Sequence, residues 1–182
     1  MKKFLIVLGV IVVLVLGLLL YMRLVYTKSF SPEDKSSFSN AGLEISVLYN
    51  RPFKKGRVIF GELVPYNKVW RTGANEATVF ETNKDLVFGD KTLKAGKYTL
   101  FTIPEEQSWT ILFNTETGQW GVDFNGEANR DPAKDVLSVQ ALSVQQEKEF
   151  EQFTISIERW GEEMQLIFMW DKTLVSVPFK AK

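Results

Sequence analysis

The sequence contains neither histidine nor cysteine. Without histidine, the chain lacks the usual general base near neutral pH and the commonest metal ligand. Without cysteine, it lacks a disulfide, a thiolate nucleophile, a lipoprotein attachment site and a structural zinc site of the usual kinds. These absences exclude Ser-His-Asp and Cys-His catalysis within the chain, and we therefore lean towards a function other than catalysis.

An excess of charge of either sign is also missing. The 182 residues include 22 basic and 22 acidic ones, so the formal net charge is zero. No long-range field attracts a polyanion, and we predict no nucleic-acid partner. No motif indicates a cofactor, and nothing in the sequence indicates an oligomeric state. The length fits one ordinary domain with an attachment.

The most prominent feature that is present is a long apolar run. Residues 4–22 are uncharged and almost wholly apolar, and they follow a basic N-terminus, residues 1–3. At about 1.5 Å per residue, such a run spans roughly the 30 Å hydrocarbon layer of a bilayer. It is long for a signal-peptide core, and no Ala-x-Ala cleavage pattern follows. We predict an uncleaved transmembrane anchor, with a cleaved signal as the alternative.

The charges that flank this run indicate a topology. Lys2, Lys3 and the amino terminus slightly outweigh Arg23 and Lys28, which favours the amino terminus inside and the remaining chain on the extracytoplasmic, periplasmic side. The membrane is thus a predicted partner. Residues 23–40 are largely polar and include Pro32, and we interpret them as a tether to a globular domain over residues 41–180.

Beyond the tether, turn signals recur every 8 to 12 residues between short apolar stretches, a pattern typical of sandwiches and barrels. We predict an all-β, antiparallel sandwich or barrel-like domain of about nine or ten short strands. Leu43–Asn50 alternates apolar and polar residues. Gly89-Asp90 fits a two-residue hairpin loop. Later strands are predicted at 136–142, 150–158, 164–170 and 173–177, with a turn of helix within 145–150.

The stretch from residue 49 to residue 78 concentrates arginines, turn formers and aromatic residues. We expect its polar residues to converge at one end of the sheet, because loops carry sites on a rigid scaffold. Arginine suits carboxylate, phosphate or sulfate. Trp70 and Trp120 lie beside glycine-containing turns and could contact a ligand. The predicted ligand-binding residues are Arg51, Arg57, Trp70, Arg71, Asn75, Glu76 and Trp120. Alternatively, the arginines pair structurally with Glu44, Glu62, Glu76 and loop carbonyls.

A loop further along has oxygen-bearing side chains at every second position, as a calcium site requires. It departs from the helix-loop-helix calcium signature, because Gly126 is misplaced and Lys134 stands where a glutamate is needed. A solvated loop explains the pattern equally well. The calcium candidates are Asp123, Asn125, Glu127, Asn129 and Asp131.

Several motifs together resemble the domain-of-unknown-function 2911 family. The longest is Val69-Trp-Arg-Thr-Gly-Ala-Asn-Glu-Ala-Thr78, preceded by Lys55-Gly-Arg57 and followed by Lys94-Ala-Gly-Lys-Tyr98 and Gln119-Trp-Gly121. The resemblance covers roughly residues 31–180. It implies no activity and no catalytic residues, because none is established for the family.

Three functions fit these observations. The first is a membrane-anchored binding module for an anionic or carbohydrate ligand of the cell envelope. The second is a scaffold or interaction protein of an envelope complex. The third is a carboxylate-based glycan hydrolase in which Glu76 is the general acid or base, with Glu62 or Asp123 within roughly 5 to 9.5 Å.

Overall fold

The computed structural model describes residues 1–182. The chain begins with helix α1 (Lys2–Tyr21), which continues through a π-helical turn (Met22–Tyr26) into α2 (Thr27–Phe30). Together they form one continuous helix of 29 residues, none of whose apolar window is buried against the rest of the chain. Its length and composition suffice to cross a membrane, a test that a signal sequence near the N-terminus also passes.

The tether predicted over residues 23–40 is replaced by regular structure. The helix extends to Phe30, and strand β1 (Glu33–Asn40) starts three residues later. β1 pairs along its whole length with β2 (Leu43–Asn50), from Glu33 opposite Asn50 to Asn40 opposite Leu43. Its polar composition reflects its place at the edge of the sheet, where polar side chains are common.

The domain is an antiparallel nine-stranded sheet in the order β1-β2-β3-β6-β7-β8-β9-β4-β5. This arrangement confirms the predicted all-β class. The hairpin predicted around Gly89-Asp90 is also present, and Gly89 has a positive φ of 60° there. The remaining strands are β3 (Val79–Thr82), β4 (Leu86–Phe88), β5 (Lys91–Leu93), β6 (Gly96–Pro104), β7 (Ser108–Asn114), β8 (Asp135–Trp160) and β9 (Glu163–Ala181).

The last two strands are much longer than the sequence predicted. The four separate strands expected between residues 136 and 177 merge into β8 and β9, and the expected helical turn within 145–150 is wrong because these residues belong to β8. Register shifts near Phe150 bend β8. β8 pairs with β7 as far as Leu142 and with β9 from Ser143 onwards, so the change of partner precedes these shifts.

The curled sheet encloses one continuous core of 26 buried residues. The curl also brings β1 into contact with β8. Aromatic side chains dominate the most deeply buried positions, which include Phe80, Phe88, Phe113, Trp109 and Trp170. One end of this aromatic core lies under the long segment between β2 and β3, and that segment builds the candidate site.

Candidate functional site

The segment from Arg51 to Thr78 contains almost no strand but is fixed to the sheet at Trp70. The backbone N–H of Trp70 donates to the carbonyl of Thr102 at 2.7 Å, and the N–H of Thr102 donates back at 2.9 Å. Trp70 therefore pairs with β6 through a single bridge. This bridge places the Trp70 side chain over the aromatic core.

A tight turn follows Trp70 and depends on one glycine. Thr72, Gly73 and Asn75 all have positive φ, of 58°, 153° and 55°. A Cβ at Gly73 would lie 2.9 Å from the carbonyl oxygen of Asn50, so no other residue fits there without a backbone shift. The Thr78 hydroxyl donates to the Thr72 carbonyl at 2.6 Å and fixes the unusual conformation.

Beneath the segment lies a cluster of aromatic rings. Trp70 stacks on Trp170 with a centroid distance of 5.9 Å and an interplanar angle of 16°. Phe60, Trp109 and Phe153 meet Trp70 at steep angles, which is the favourable edge-to-face arrangement. The Trp70 indole N–H donates to the Gly73 carbonyl at 3.1 Å, which ties this ring to the turn.

Above these rings is a cavity of about 580 Å³, and all the charged side chains that line it are basic. Four basic side chains line it: Lys55, Arg57, Lys68 and Arg71. No aspartate or glutamate does, and half of the 18 lining residues are hydrophobic. Phe30 and Ser31, at the end of the helix, form part of the wall.

Most of the lining cations lack a carboxylate partner. Lys68 is within 4.0 Å of Glu127, in a pair whose side chains are both mostly exposed. Lys55, Arg57 and Arg71 take part in none of the ion pairs of the chain. An anion in the cavity would thus meet three cations that form no ion pair with a carboxylate, although the Arg57 guanidinium also donates to the carbonyls of Lys54 and Phe53.

Two buried donors on the cavity lining have no acceptor. Nη1 of Arg71 and Nε1 of Trp170 are both inaccessible to solvent and without a hydrogen-bond partner. A buried donor without a partner costs about 1 to 3 kcal/mol, so such groups are rare in folded proteins. Burial lowers the pKa of the Arg71 guanidinium, and the nearby negative charge of Glu76 opposes that shift.

The structure separates the predicted site residues into two groups and leaves Arg51 outside both. Arg57, Trp70 and Arg71 line the cavity. Arg51 does not: its guanidinium donates to the Phe153 carbonyl at 3.0 Å, to Thr154 Oγ1 at 2.7 Å and to Asp34 Oδ2 at 3.0 Å. The structural alternative therefore describes Arg51, although its partners are not the glutamates that the sequence suggested.

The second group contacts the helix and the chain that follows it. Glu76 Oε1 accepts from Arg23 Nε at 3.3 Å, and Glu76 Oε2 accepts from Asn50 Nδ2 at 3.2 Å. The Arg23 guanidinium carbon lies 5.4 Å from the centre of the Trp120 ring. Asn75 Nδ2 donates to the Ser31 carbonyl at 3.3 Å. These residues hold the helix against the domain, and none of Asn75, Glu76 and Trp120 lines the cavity.

The calcium candidates bond mainly to their own loop. Asp123 Oδ1 accepts from the backbone N–H groups of Asn125 and Glu127, at 2.8 and 3.0 Å. Asp131 Oδ1 accepts from the N–H of Ala133 and caps the short 3₁₀ helix Pro132–Lys134. No group of three or more acidic side chains is placed to hold a metal ion.

Sequence reasoning missed Trp170 as a site residue. This tryptophan is only 2% exposed and belongs to the core, but its ring also lines the cavity. Trp170 follows Trp70 by 100 positions, and only the long pairing of β8 with β9 brings it under the turn. The neighbouring Asp171 has a positive φ of 54°, but the sequence alone does not indicate this backbone conformation.

The comparison with protein families gives one match. A family model described as protein of unknown function (DUF2911) matches residues 31–179. The chain belongs to the DUF2911 family. This result confirms the resemblance seen in the sequence, and in this DUF2911 protein the matched span includes every cavity residue except Phe30. Comparisons with curated proteins and with solved structures found no match.

Proposed function

We propose that this DUF2911 protein is a membrane-anchored binding module for an anionic ligand of the cell envelope, bound in the cavity above Trp70 and Trp170. The observation that carries the proposal is one cavity lined by four basic side chains and no carboxylate. An anion that enters the cavity can form charge-assisted hydrogen bonds with these side chains.

The charge of the lining supports an anion over a neutral ligand. Four basic side chains and no carboxylate face the cavity. Guanidinium groups form short, charge-assisted hydrogen bonds with carboxylate and phosphate oxygens. The half-buried Trp70 ring gives a carbohydrate that carries the anionic group a surface on which to stack.

The contacts of the helix support retention of the anchor. Arg23 bonds to Glu76, and Phe30 and Ser31 line the cavity. Cleavage of a signal sequence after residue 22 would keep Arg23, Phe30 and Ser31 but leave them near a free N-terminus. Cleavage after residue 30 or beyond would remove part of the cavity wall. An uncleaved anchor with the domain on the extracytoplasmic side is therefore part of the proposal.

The hydrolase hypothesis has weaker support in the geometry. None of its three carboxylates, Glu62, Glu76 and Asp123, lines the cavity. Both oxygens of Glu76 already accept hydrogen bonds, from Arg23 and Asn50. The scaffold hypothesis does not account for the uncompensated positive charge on the cavity lining.

Thermal unfolding of the full-length protein in a neutral detergent tests the proposal. The panel contains inorganic phosphate, sulfate, glycerol 3-phosphate, glucuronate and the neutral sugar glucose. A ligand at a hundred times its dissociation constant adds about 2.7 kcal/mol of stability, a shift of several degrees. We expect at least one anion, but not glucose, to raise the melting temperature.

The variants Arg71→Gln and Arg57→Gln should weaken this response. Arg159→Gln is the matched control, because Arg159 lies near the β8–β9 turn and donates only to the Gly161 carbonyl. Two results would contradict the proposal: no shift with any anion, or shifts that are the same in wild type, both cavity variants and the control.

A further inference from the structure

We infer that the ligand is an anionic lipid of the bilayer that holds the helix, with its phosphate in the cavity and its first methylene groups against the apolar part of the lining. The inference rests on the proposed function and names the chemical class of the ligand. Four features carry it: the distance from the apolar run, the composition of the lining, the exposed apolar residues nearby and the position of Lys55.

The helix fixes the height of the cavity above the membrane. The apolar run ends at Met22, and Phe30 lines the cavity eight residues later. At 1.5 Å per residue, this separation is about 12 Å along an unbroken helix. The polar region on each side of a bilayer adds roughly 5 to 8 Å to the hydrocarbon layer. The cavity wall at Phe30 therefore lies about 4 to 7 Å beyond the outer edge of the headgroup layer, so a lipid must rise partly out of the bilayer for its phosphate to reach the cavity.

The helix cannot swing freely away from this position. Arg23, the first charged residue after the apolar run, contacts Glu76 and Trp120 of the domain. Asn75 bonds to the Ser31 carbonyl just beyond the helix. These contacts hold the loops that build the cavity against the part of the helix that leaves the membrane.

The lining matches an amphiphile more closely than a small soluble anion. Four of its 18 residues are basic and nine are hydrophobic. A phosphate or sulfate ion would contact the basic side chains and leave hydrophobic residues in contact with water. A lipid would cover both, and each methylene that it buries should tighten binding roughly fourfold.

Exposed apolar residues near the cavity extend this apolar surface. Leu63, which lines the cavity, is 45% exposed, and the nearby Val58 is 55% exposed. Phe124 is fully exposed at the tip of the loop that begins at Trp120, beside the helix, and reaches the cavity at Gly126. An apolar loop tip beside a transmembrane helix is suited to insertion among lipid headgroups.

Lys55 marks the side from which the headgroup enters. Its ammonium group lies 5.2 Å from the centre of the Phe30 ring and 5.9 Å from that of Phe53. The adjacent Lys54, by contrast, is paired with Asp171 and Glu149. Lys55 thus places an unpaired positive charge where the helix end meets the cavity.

Native mass spectrometry of the full-length protein in a neutral detergent tests the inference. The probes are phosphatidylglycerol, phosphatidic acid, phosphatidylcholine and the soluble headgroup analogue glycerol 3-phosphate. We expect both anionic lipids to bind at least tenfold more tightly than either phosphatidylcholine or glycerol 3-phosphate, a difference of about 1.4 kcal/mol.

Variants separate the headgroup from the chains. Lys55→Gln and Arg71→Gln should remove the preference for anionic lipids, whereas the control Arg159→Gln should keep it. Leu63→Ser and Phe124→Ser should weaken lipid binding severalfold and leave the affinity for glycerol 3-phosphate unchanged. Lys55, Leu63 and Phe124 are exposed, so these variants do not depend on substitutions in the core.

Each remaining outcome has a definite meaning. If glycerol 3-phosphate binds as tightly as the lipids and needs Arg71, the lipid inference is overturned while the anion-binding function stands. If phosphatidylcholine binds as tightly as the anionic lipids, the lipids are nonspecific and the inference is overturned. If neither lipid nor soluble anion binding depends on Lys55 or Arg71, both the inference and the proposed function fail.

Discussion

Nε of Arg23 donates to Oε1 of Glu76 at 3.3 Å, across 53 positions of the chain. The same guanidinium lies over the Trp120 ring. The apolar helix and the DUF2911 domain are therefore joined by side-chain contacts as well as by the backbone. Glu76 and Trp120, which the sequence placed among ligand-binding residues, contact the helix.

The variant Arg23→Gln should loosen the helix without unfolding the domain. The Arg23 side chain is 52% exposed, and an exposed ion pair contributes at most about 1 kcal/mol. Because the chain has no cysteine, cysteines introduced at Leu24 and Lys97 can carry spin labels without background. We expect a broader distance distribution for the variant than for wild type or the control Lys3→Gln. An unchanged width would show that Arg23 does not orient the helix.

Arg51 and Arg71 should respond to substitution in opposite ways. Arg51→Gln loses three hydrogen bonds, so we expect the free energy of unfolding to fall by about 2 kcal/mol while anion affinity is unchanged. Arg71→Gln removes a buried Nη1 that has no partner, so the free energy of unfolding should stay the same or rise. Its anion affinity should fall at least tenfold.

Urea unfolding, followed by tryptophan fluorescence, and calorimetric titration with anions measure the two properties. A loss of about 3 to 5 kcal/mol in Arg71→Gln would identify Arg71 as a structural partner instead of a ligand-binding residue.

Gly121 should control the position of Arg71. A Cβ at Gly121 would lie 3.0 Å from Cβ and Cδ of Arg71, and Gly121 has a positive φ of 93°. Gly121→Ala should therefore weaken anion binding severalfold and also destabilise the domain. Gly118→Ala is a matched control, since Gly118 has a φ of 91° but open space around it. It should cost only the backbone strain, about 1 to 2 kcal/mol, and an equal loss of affinity in both variants would exclude the steric explanation.

Asp85 should give the domain part of its stability against acid. Its carboxylate accepts from Lys94 Nζ and from the backbone N–H of Ala95, both at 2.9 Å, and these bonds hold its pKa below the ordinary value. Because the folded-state pKa is depressed, the contribution is present above the unfolded pKa of about 3.9 and is lost as pH falls through the folded pKa.

The test compares urea midpoints of wild type and Asp85→Asn between pH 7 and pH 2. The variant should be less stable at pH 7, and the difference should shrink below about pH 4. Asp90→Asn, an exposed substitution in the β4–β5 turn, is the control. A difference that stays constant with pH would show that the Asp85 charge does not stabilise the fold.

The sequence was most informative where local rules act alone. Gly89-Asp90 predicted its hairpin because a two-residue loop requires glycine at a positive φ. The sequence did not predict β1, because this edge strand pairs with β2 through backbone hydrogen bonds and its polar side chains do not indicate a strand. It also failed at β8, because the register shifts near Phe150 depend on partners far away in the chain.

The candidate site could also be predicted only where it depends on local sequence. The turn formers around Gly73 indicated a loop site, and Arg57, Trp70 and Arg71 do line one cavity. The sequence could not show that Trp170 joins them or that Arg51 faces β8, because both contacts depend on the pairing of strands that are distant in sequence. The pairing of distant strands therefore explains why the roles of Trp170 and Arg51 were not predicted.

The pairing of the first strands with β8 also determines when the domain can fold during synthesis. Tyr49 exchanges hydrogen bonds with the backbone of Ile155, and Arg51 bonds to the Phe153 carbonyl across 102 positions. While a ribosome is still extending the chain, the N-terminal strands have no β8 to close against. Such long-range contacts slow folding. The apolar helix is therefore complete long before the domain can fold, and the first strands stay unpaired with β8 until almost the entire chain has been made.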